Sequence, residues 1–302
     1  MEANHILLIM QRLDKIVTED RIRKYSNKLI VKIIVILKIY WVSYRPSKYF
    51  FNNHKEFMEL LDITGIPKFR TISYRSLRID WHLINSAIID IINPYNDNAA
   101  VDSSITKTCK DTTARRRRKN RKYKDPESSW GYGTMGYEYG RKVHAVIDTD
   151  SLSVMEWKIT TASVYDKNMA FPMIDSVRDF RYILMDAAYD SSDIYDYIFE
   201  NTQAMPVIDT NRRRGIVQDR LTFNRKLGIA LRKKEASRYK LRWEIERTFS
   251  ILKEILGMEY IWYIKHRNYD VSIGEIIVAY NCIVMANKIT GISGRKIMYI
   301  VI

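Results

Sequence analysis

From residue 99 onward the chain carries five short apolar segments, and their order limits what it can fold into. AAVDSSITK (99–107), KVHAVIDT (142–149), LSVMEWKIT (152–160), YILMDAAY (182–189) and AMPVIDT (204–210) each have the β-branched and aromatic content of a strand. Only the tight turn Asp148–Ser151 separates the second from the third, which predicts a hairpin. Helical patterns then alternate with strands. One covers 166–180 with Asp166 as candidate N-cap, the next is SSDIYDYIFENT opened by a serine cap, and a long amphipathic helix runs from about Ala236 to Leu256. Antiparallel pairing followed by alternation specifies an α/β fold, a mixed sheet flanked by helices.

The first 92 residues read differently. Apolar residues recur at helical spacing through 27–43 and 55–62, turn signals fall at 45–47 and 65–67, and 71–92 predicts a further helix with Ser73 as a candidate cap. Lys68, Arg70, Arg75 and Arg78 would give a helix-turn-helix module a basic face. The polar stretch 93–100 marks the boundary to the strand-rich part. The N-terminus is expected to carry no signal peptide. Two apolar stretches, one interrupted by Lys32 and Lys38 and one by Glu275, Asn281 and Asn287, fall short of the roughly 20 apolar residues a membrane span needs, and both predict core helices. Cys109 and Cys282 offer no zinc spacing.

The charge is unevenly placed. Residues 110–124 and 211–234 each hold nine basic residues and one acid, so these two tracts carry +16 against +15 for the whole chain. The segment between them, 125–210, has 15 acids and 6 bases. Two cationic tracts flanking an acidic middle fit a polyanion held beside a metal site. The tracts supply Arg115, Arg116, Arg117, Arg118, Arg212, Arg213 and Arg214 as candidate phosphate contacts.

In an open α/β sheet, ligand sites gather beyond the carboxyl ends of strands. Asp102 is placed at the end of the first strand and Asp186 at the end of the fourth. A third acid would come from the long helix. At about 100° per residue, Tyr239, Arg242, Glu246 and Lys253 fall within roughly 60° of one another, while Glu244 lies about 160° from Glu246. Arg242 is also placed to orient Glu246 as its i,i+4 neighbour. Carboxylates suit a hard divalent cation, and two such ions can activate an attacking oxygen and stabilise a leaving one in phosphoryl transfer.

The segment YKLRWEIERTFSILK fits the pattern Y-x2-R-x3-E-x6-K. With AVDSS, DPESSWGY, GRKVHAVIDTDS, ITTASVYD and MDAAYDS in order, the chain resembles the DDE-type insertion-sequence transposases of prokaryotes over residues 99–265. The resemblance implies three parts: a helical N-terminal domain (1–98) with a candidate helix-turn-helix for DNA binding, a ribonuclease-H-like DDE catalytic domain (99–265), and a C-terminal helix packing on the core (266–302). It implies a transposase that binds terminal inverted repeats, cuts the DNA and joins the 3′ ends to a target. Asp102, Asp186 and Glu246 match the catalytic, metal-binding triad for two Mg²⁺ ions, with Mn²⁺ as a substitute. Tyr239, Arg242 and Lys253 match positions that handle DNA. Double-stranded DNA would be the partner, a homodimer the assembly in the complex, no membrane would be involved, and the location would be the cytoplasm at the nucleoid. A metal-dependent nuclease and a decayed DNA-binding relative are the alternatives. Only about 25 residues separate the last strand from the long helix, too few for the β-rich insertion of some relatives.

Other residues read as structural. Asp190 is expected to cap the helix that follows it, Asp148 and Asp150 to form a turn, His144 to lie in the core or beside the site, and Trp130 and Trp243 to pack in the core.

Overall fold

The computed structural model describes residues 3–19, 24–115, 124–133, 136–211, 221–261 and 265–296. By contacts the chain divides into two compact units, Met1–Asn93 with Ser250–Ile302, and Pro94–Phe249.

The first unit is helical: α1 (Ala3–Ile16), α2 (Asn27–Ile39), α3 (Ser47–Asn53), α4 (Lys55–Leu60), α5 (Phe69–Ser76) and α6 (Trp81–Ile92). Ser26 caps α2 by accepting from the Leu29 amide at 3.0 Å. The single helix expected over 71–92 is two, because Asp80 caps α6 by accepting from the Leu83 amide at 3.0 Å. Ser73 therefore lies inside α5, not at a cap. Of the expected basic face, Lys68, Arg70 and Arg78 are exposed, but Arg75 is buried and donates to the Tyr25 carbonyl and the Asn27 side chain.

The C-terminal segment lies by contacts in this first unit. There its 24-residue helix His266–Ile289 packs against α1, α2 and α6. By length and composition this helix could cross a membrane, yet 89% of its apolar window is buried. Its Glu275 is buried and accepts from Lys38 at 2.9 Å as well as from Tyr44 and Ser76, so the one acid in an apolar stretch is fully paired.

The second unit is built on one six-stranded mixed sheet. Its strands are β1 (Asn98–Lys107), β2 (Ser129–Gly133), β3 (Gly136–Asp148), β4 (Val154–Thr161), β5 (Tyr182–Met185) and β6 (Met205–Ile208). The order is β2-β3-β1-β5-β6, with β4 also paired to β3; β1, β5 and β6 are parallel, and β3 is antiparallel to β1. The helices are α7 (Asp111–Arg115), α8 (Ala170–Asp175), α9 (Ser192–Asn201), α10 (Phe223–Lys234), α11 (Ala236–Tyr239) and α12 (Trp243–Ser250); His266–Ile289 is α13.

Several elements differ from expectation. The Gly/Tyr-rich stretch before residue 142 forms β2 and the first half of β3. Small residues obscured it, and cross-strand aromatic pairs hold it: Tyr132–Tyr137 at 5.3 Å and Trp130–Tyr139 at 5.5 Å between centroids. The expected 166–180 helix is a 3-10 turn (Asp166–Met169) followed by α8, and its N-cap is Tyr165, not Asp166. Helix α10 fills part of the second basic tract, where no element was expected. The long helix is not uniform either. A 3-10 turn (Lys240–Arg242) joins α11 to α12, and Ile251–Ile255 wind as a π-helix, so a constant 100° step holds across neither.

One face of the sheet is covered by α8 and α9. Ala99 and Val101 of β1, and Ile183 and Met185 of β5, pack there with Met173, Ile174, Ile194 and Ile198. Side chains alternate along a strand. Asp102 and Asp186, one residue past Val101 and Met185, therefore turn to the opposite face, where the 3-10 turn Lys240–Arg242 lies against β1 and β5.

Candidate active site

Asp102 sits midway along β1 rather than at its end. The parallel pairing of β1 with β5 nevertheless stops at Val101↔Met185. Asp102 thus lies beside Asp186, the residue that follows β5. Asp186 caps the 3-10 turn Ala187–Tyr189, its Oδ1 accepting from the Ala188 amide at 2.9 Å.

Two acids brought together by register repel one another. Burial first, and the Asp186 carboxylate second, push the Asp102 carboxyl up to about 7. The Ser103 amide, donating to Asp102 Oδ1 at 2.7 Å, and the Arg242 guanidinium act the other way. Asp186 is also raised, chiefly by burial. A site that disfavours two adjacent anions favours a cation placed between them.

Arg242 joins two of the expected residues. It is 8% exposed and donates from Nη1 to Asp102 Oδ2 at 3.1 Å and from Nη2 to Glu246 Oε1 at 2.6 Å. One planar guanidinium therefore orients a carboxylate on β1 and another on α12. Glu246 keeps a 41% exposed side chain. Tyr239 is half-buried between two guanidinium groups, Arg232 at 3.6 Å and Arg242 at 5.8 Å from its ring centroid. Lys253 belongs by contacts to the other unit, where its Nζ stands 3.5 Å from Glu259. Arg115 is exposed at the end of α7, with its guanidinium 5.9 Å from the Trp130 ring. Arg116, Arg117, Arg118, Arg212, Arg213 and Arg214 lie outside the described residues.

Asp102 and Asp186 offer oxygen donors only, which suits Mg²⁺ or Mn²⁺. Mg²⁺ commonly takes one or two protein carboxylates and completes its shell with water and substrate phosphate. Among the described residues no group of three or more His, Cys, Asp or Glu is gathered to hold a metal. The carboxylate pair thus fits a hard divalent ion, while Glu246 is held by Arg242.

A fourth acid, read from sequence only as a helix cap, belongs to the same neighbourhood. Asp166 Oδ1 accepts from Ser103 Oγ at 2.6 Å and Lys142 Nζ at 3.0 Å, and His144 Nδ1 stands 3.9 Å away. Its charge helps to raise both Asp102 and Asp186. The ordered motif ITTASVYD ends on this residue. His144 is fully buried, its Nε2 2.9 Å from Thr160 Oγ1, and burial lowers it to about 4. Tyr189, also buried, has its phenol raised by burial and by Asp102, Asp166 and Asp186.

Asp148 does form its turn, accepting from the Ser151 amide at 2.8 Å. Asp190 does not cap α9. Its carboxylate takes both Arg225 Nε at 3.0 Å and Nη2 at 2.9 Å, because α10 brings that arginine against α9. Trp243 is 61% exposed, on the side of α12 about 160° from buried Ile245, so it is not a core residue.

The profile of the family described as "Transposase DDE domain" matches residues 97–282, more than half of the chain. Among curated proteins no match is found.

Proposed function

Since the chain belongs to the transposase DDE domain family, a family of DNA-acting transposases, we propose that it binds the terminal inverted repeats of an insertion sequence, cleaves there and joins the 3′ ends to a target. The observation that carries this reading is the register-adjacent pair Asp102 and Asp186, with Arg242 bridging Asp102 to Glu246. The mixed sheet with α8 and α9 on one face supports a ribonuclease-H-like core in the second unit.

Asp102 and Asp186 would hold the divalent ion, with Glu246 the third acid of the set. The ion would supply Lewis-acid activation of the attacking oxygen and stabilise the leaving one. The chain's own groups do the rest. Arg242 keeps the Asp102 and Glu246 carboxylates oriented. Tyr239 lies beside that guanidinium and would meet the DNA strand there. Arg115 to Arg118 and Arg212 to Arg214 would neutralise phosphates away from the cut. Lys253 is assigned to the DNA as well. Two ends must be brought together, so the working assembly is a homodimer on DNA, at the nucleoid. The N-terminal helices, with Lys68, Arg70 and Arg78 exposed, would bind the repeat.

The test uses the full chain, Mg²⁺ and a labelled duplex carrying the inverted repeats that flank the gene, with a target plasmid. Joined products are expected. Cleavage without joining would instead establish a nuclease. Asp102→Asn, Asp186→Asn and Glu246→Gln should each lose both steps while DNA binding persists; wild-type cleavage by any of them would remove that residue from the triad.

A further inference from the structure

The strongest unassigned feature is the network that ends on Asp166. It crosses the sheet. Ser103 and Asp102 are neighbours on β1, so their side chains leave opposite faces. The Ser103 hydroxyl lies on the α8 side and donates to Asp166 Oδ1 at 2.6 Å. The Ser103 amide donates to Asp102 Oδ1 at 2.7 Å. A single residue therefore ties an acid on one face to the candidate catalytic acid on the other.

Asp166 is itself pinned. Lys142 donates to the Val164 carbonyl at 2.8 Å and to Asp166 Oδ1 at 3.0 Å, which fixes the segment leading into the 3-10 turn. Lys142 is 8% exposed, so the pair is shielded from water on its inner side. His144 lies directly opposite Ser103 in the β1–β3 register, and its second nitrogen is engaged by Thr160 on β4. Residues of two strands, Ser103 on β1 and Lys142 and His144 on β3, thus converge on one carboxylate oxygen in the turn before α8, and β4 braces the histidine.

We propose that Asp166 is a positioning residue of the cleavage site: acting through the Ser103 hydroxyl, it fixes the amide that holds Asp102 Oδ1 and so sets the direction in which that carboxylate presents its oxygens. This rests on the catalytic reading of Asp102. In this role Asp166 would act through Ser103 and not on the DNA itself. Groups that orient a metal-ligating carboxylate from behind commonly change metal affinity or activity by about 10–100-fold when removed.

The experiment compares Ser103→Ala, Ser103→Thr, Asp166→Ala, the double variant Ser103→Ala/Asp166→Ala and Asp102→Asn in the full chain. Cleavage of the flanking-repeat duplex is read as kcat and KM, and Mn²⁺ binding is read by calorimetry without DNA. Ser103→Ala and Asp166→Ala should each lower kcat by at least about tenfold and weaken Mn²⁺ binding by about as much, with KM for the duplex unchanged. Ser103→Thr, which keeps the hydroxyl, should restore both. The double variant should be no slower than the slower single, because one bond is lost either way. Wild-type kcat and Mn²⁺ affinity in Ser103→Ala, or equal losses in Ser103→Thr and Ser103→Ala, would overturn the proposal even if Asp166→Ala does not fold. Wild-type cleavage by Asp102→Asn would overturn the catalytic reading beneath it.

Discussion

Burial and the neighbouring Asp186 push the Asp102 carboxyl up to about 7, against an ordinary aspartate value near 4. The folded state therefore binds this proton more tightly than the unfolded chain does. Between about pH 4 and pH 7 the folded protein carries the extra proton, so this group's contribution to stability falls as pH rises. Asp102→Asn removes the charge and with it the penalty. In the absence of divalent ions the variant should be more stable than the wild type by of order 2 kcal/mol at pH 8, and the gap should shrink toward pH 5. Urea unfolding at the two pH values measures this, and a gap that does not change with pH would contradict it. The same substitution should abolish cleavage, so stability and activity move in opposite directions at one residue. Arg242 makes a second residue-scale prediction. Lysine keeps the charge but not the fork that reaches Asp102 and Glu246 together. Arg242→Lys should lower cleavage by about tenfold or more while duplex affinity stays close to wild type in a gel-shift titration.

Elements were legible where a pattern repeated and hidden where a contact decided. Strands β1, β4, β5 and β6 announce themselves by apolar and β-branched runs. Strand β2 does not, because glycines carry no strand preference and its stabilising partners lie across the hairpin. Helix α10 was masked by its basic composition. It exists because it packs on β6 and α9, and Gly228 permits the approach. A Cβ at Gly228 would stand 2.1 Å from Cε1 of Tyr195, a ring that is fully buried and has no room to yield. Gly228→Ala should therefore destabilise the protein by about 1–3 kcal/mol, seen as a lower thermal midpoint. Exposed Leu227→Ala, one residue away, should change it by only a few tenths. The helix bearing Glu246 shows a further limit. Sequence spacing places Arg242 and Glu246 one turn apart, and they do pair. Lys253 cannot be placed by the same step, because the backbone changes its winding on the way.

For the molecule as a whole, the surplus of +15 is carried by two tracts of 39 residues in total. Counter-ion release then makes DNA affinity fall steeply with salt, by a slope close to one for each phosphate neutralised. Replacing Arg115 to Arg118 by Gln should reduce that slope by up to about 4 and weaken binding on every sequence alike. A slope that stays at the wild-type value would remove the tract from the interface. The contact division into two units also has a consequence that the chain order conceals: residues 250–302 join the N-terminal helices, although more than 150 residues intervene. Removing α13 should therefore expose the apolar faces of α2 and α6.

By itself the sequence determined the alternation that demands a mixed sheet, the acids in and after its strands, the i,i+4 pair Arg242 and Glu246, and the two basic tracts. All of these are local, and local periodicity encodes them. Only the tertiary structure decided that β1 and β5 pair in the register that sets Asp102 beside Asp186, that Arg242 reaches across to Asp102, and that Ser103 ties Asp102 to Asp166 through the sheet. The Ser103–Asp166 and Arg242–Asp102 contacts join residues 63 and 140 positions apart. Their geometry follows from strand register and from where each helix docks, and neither is written in the spacing of any single segment.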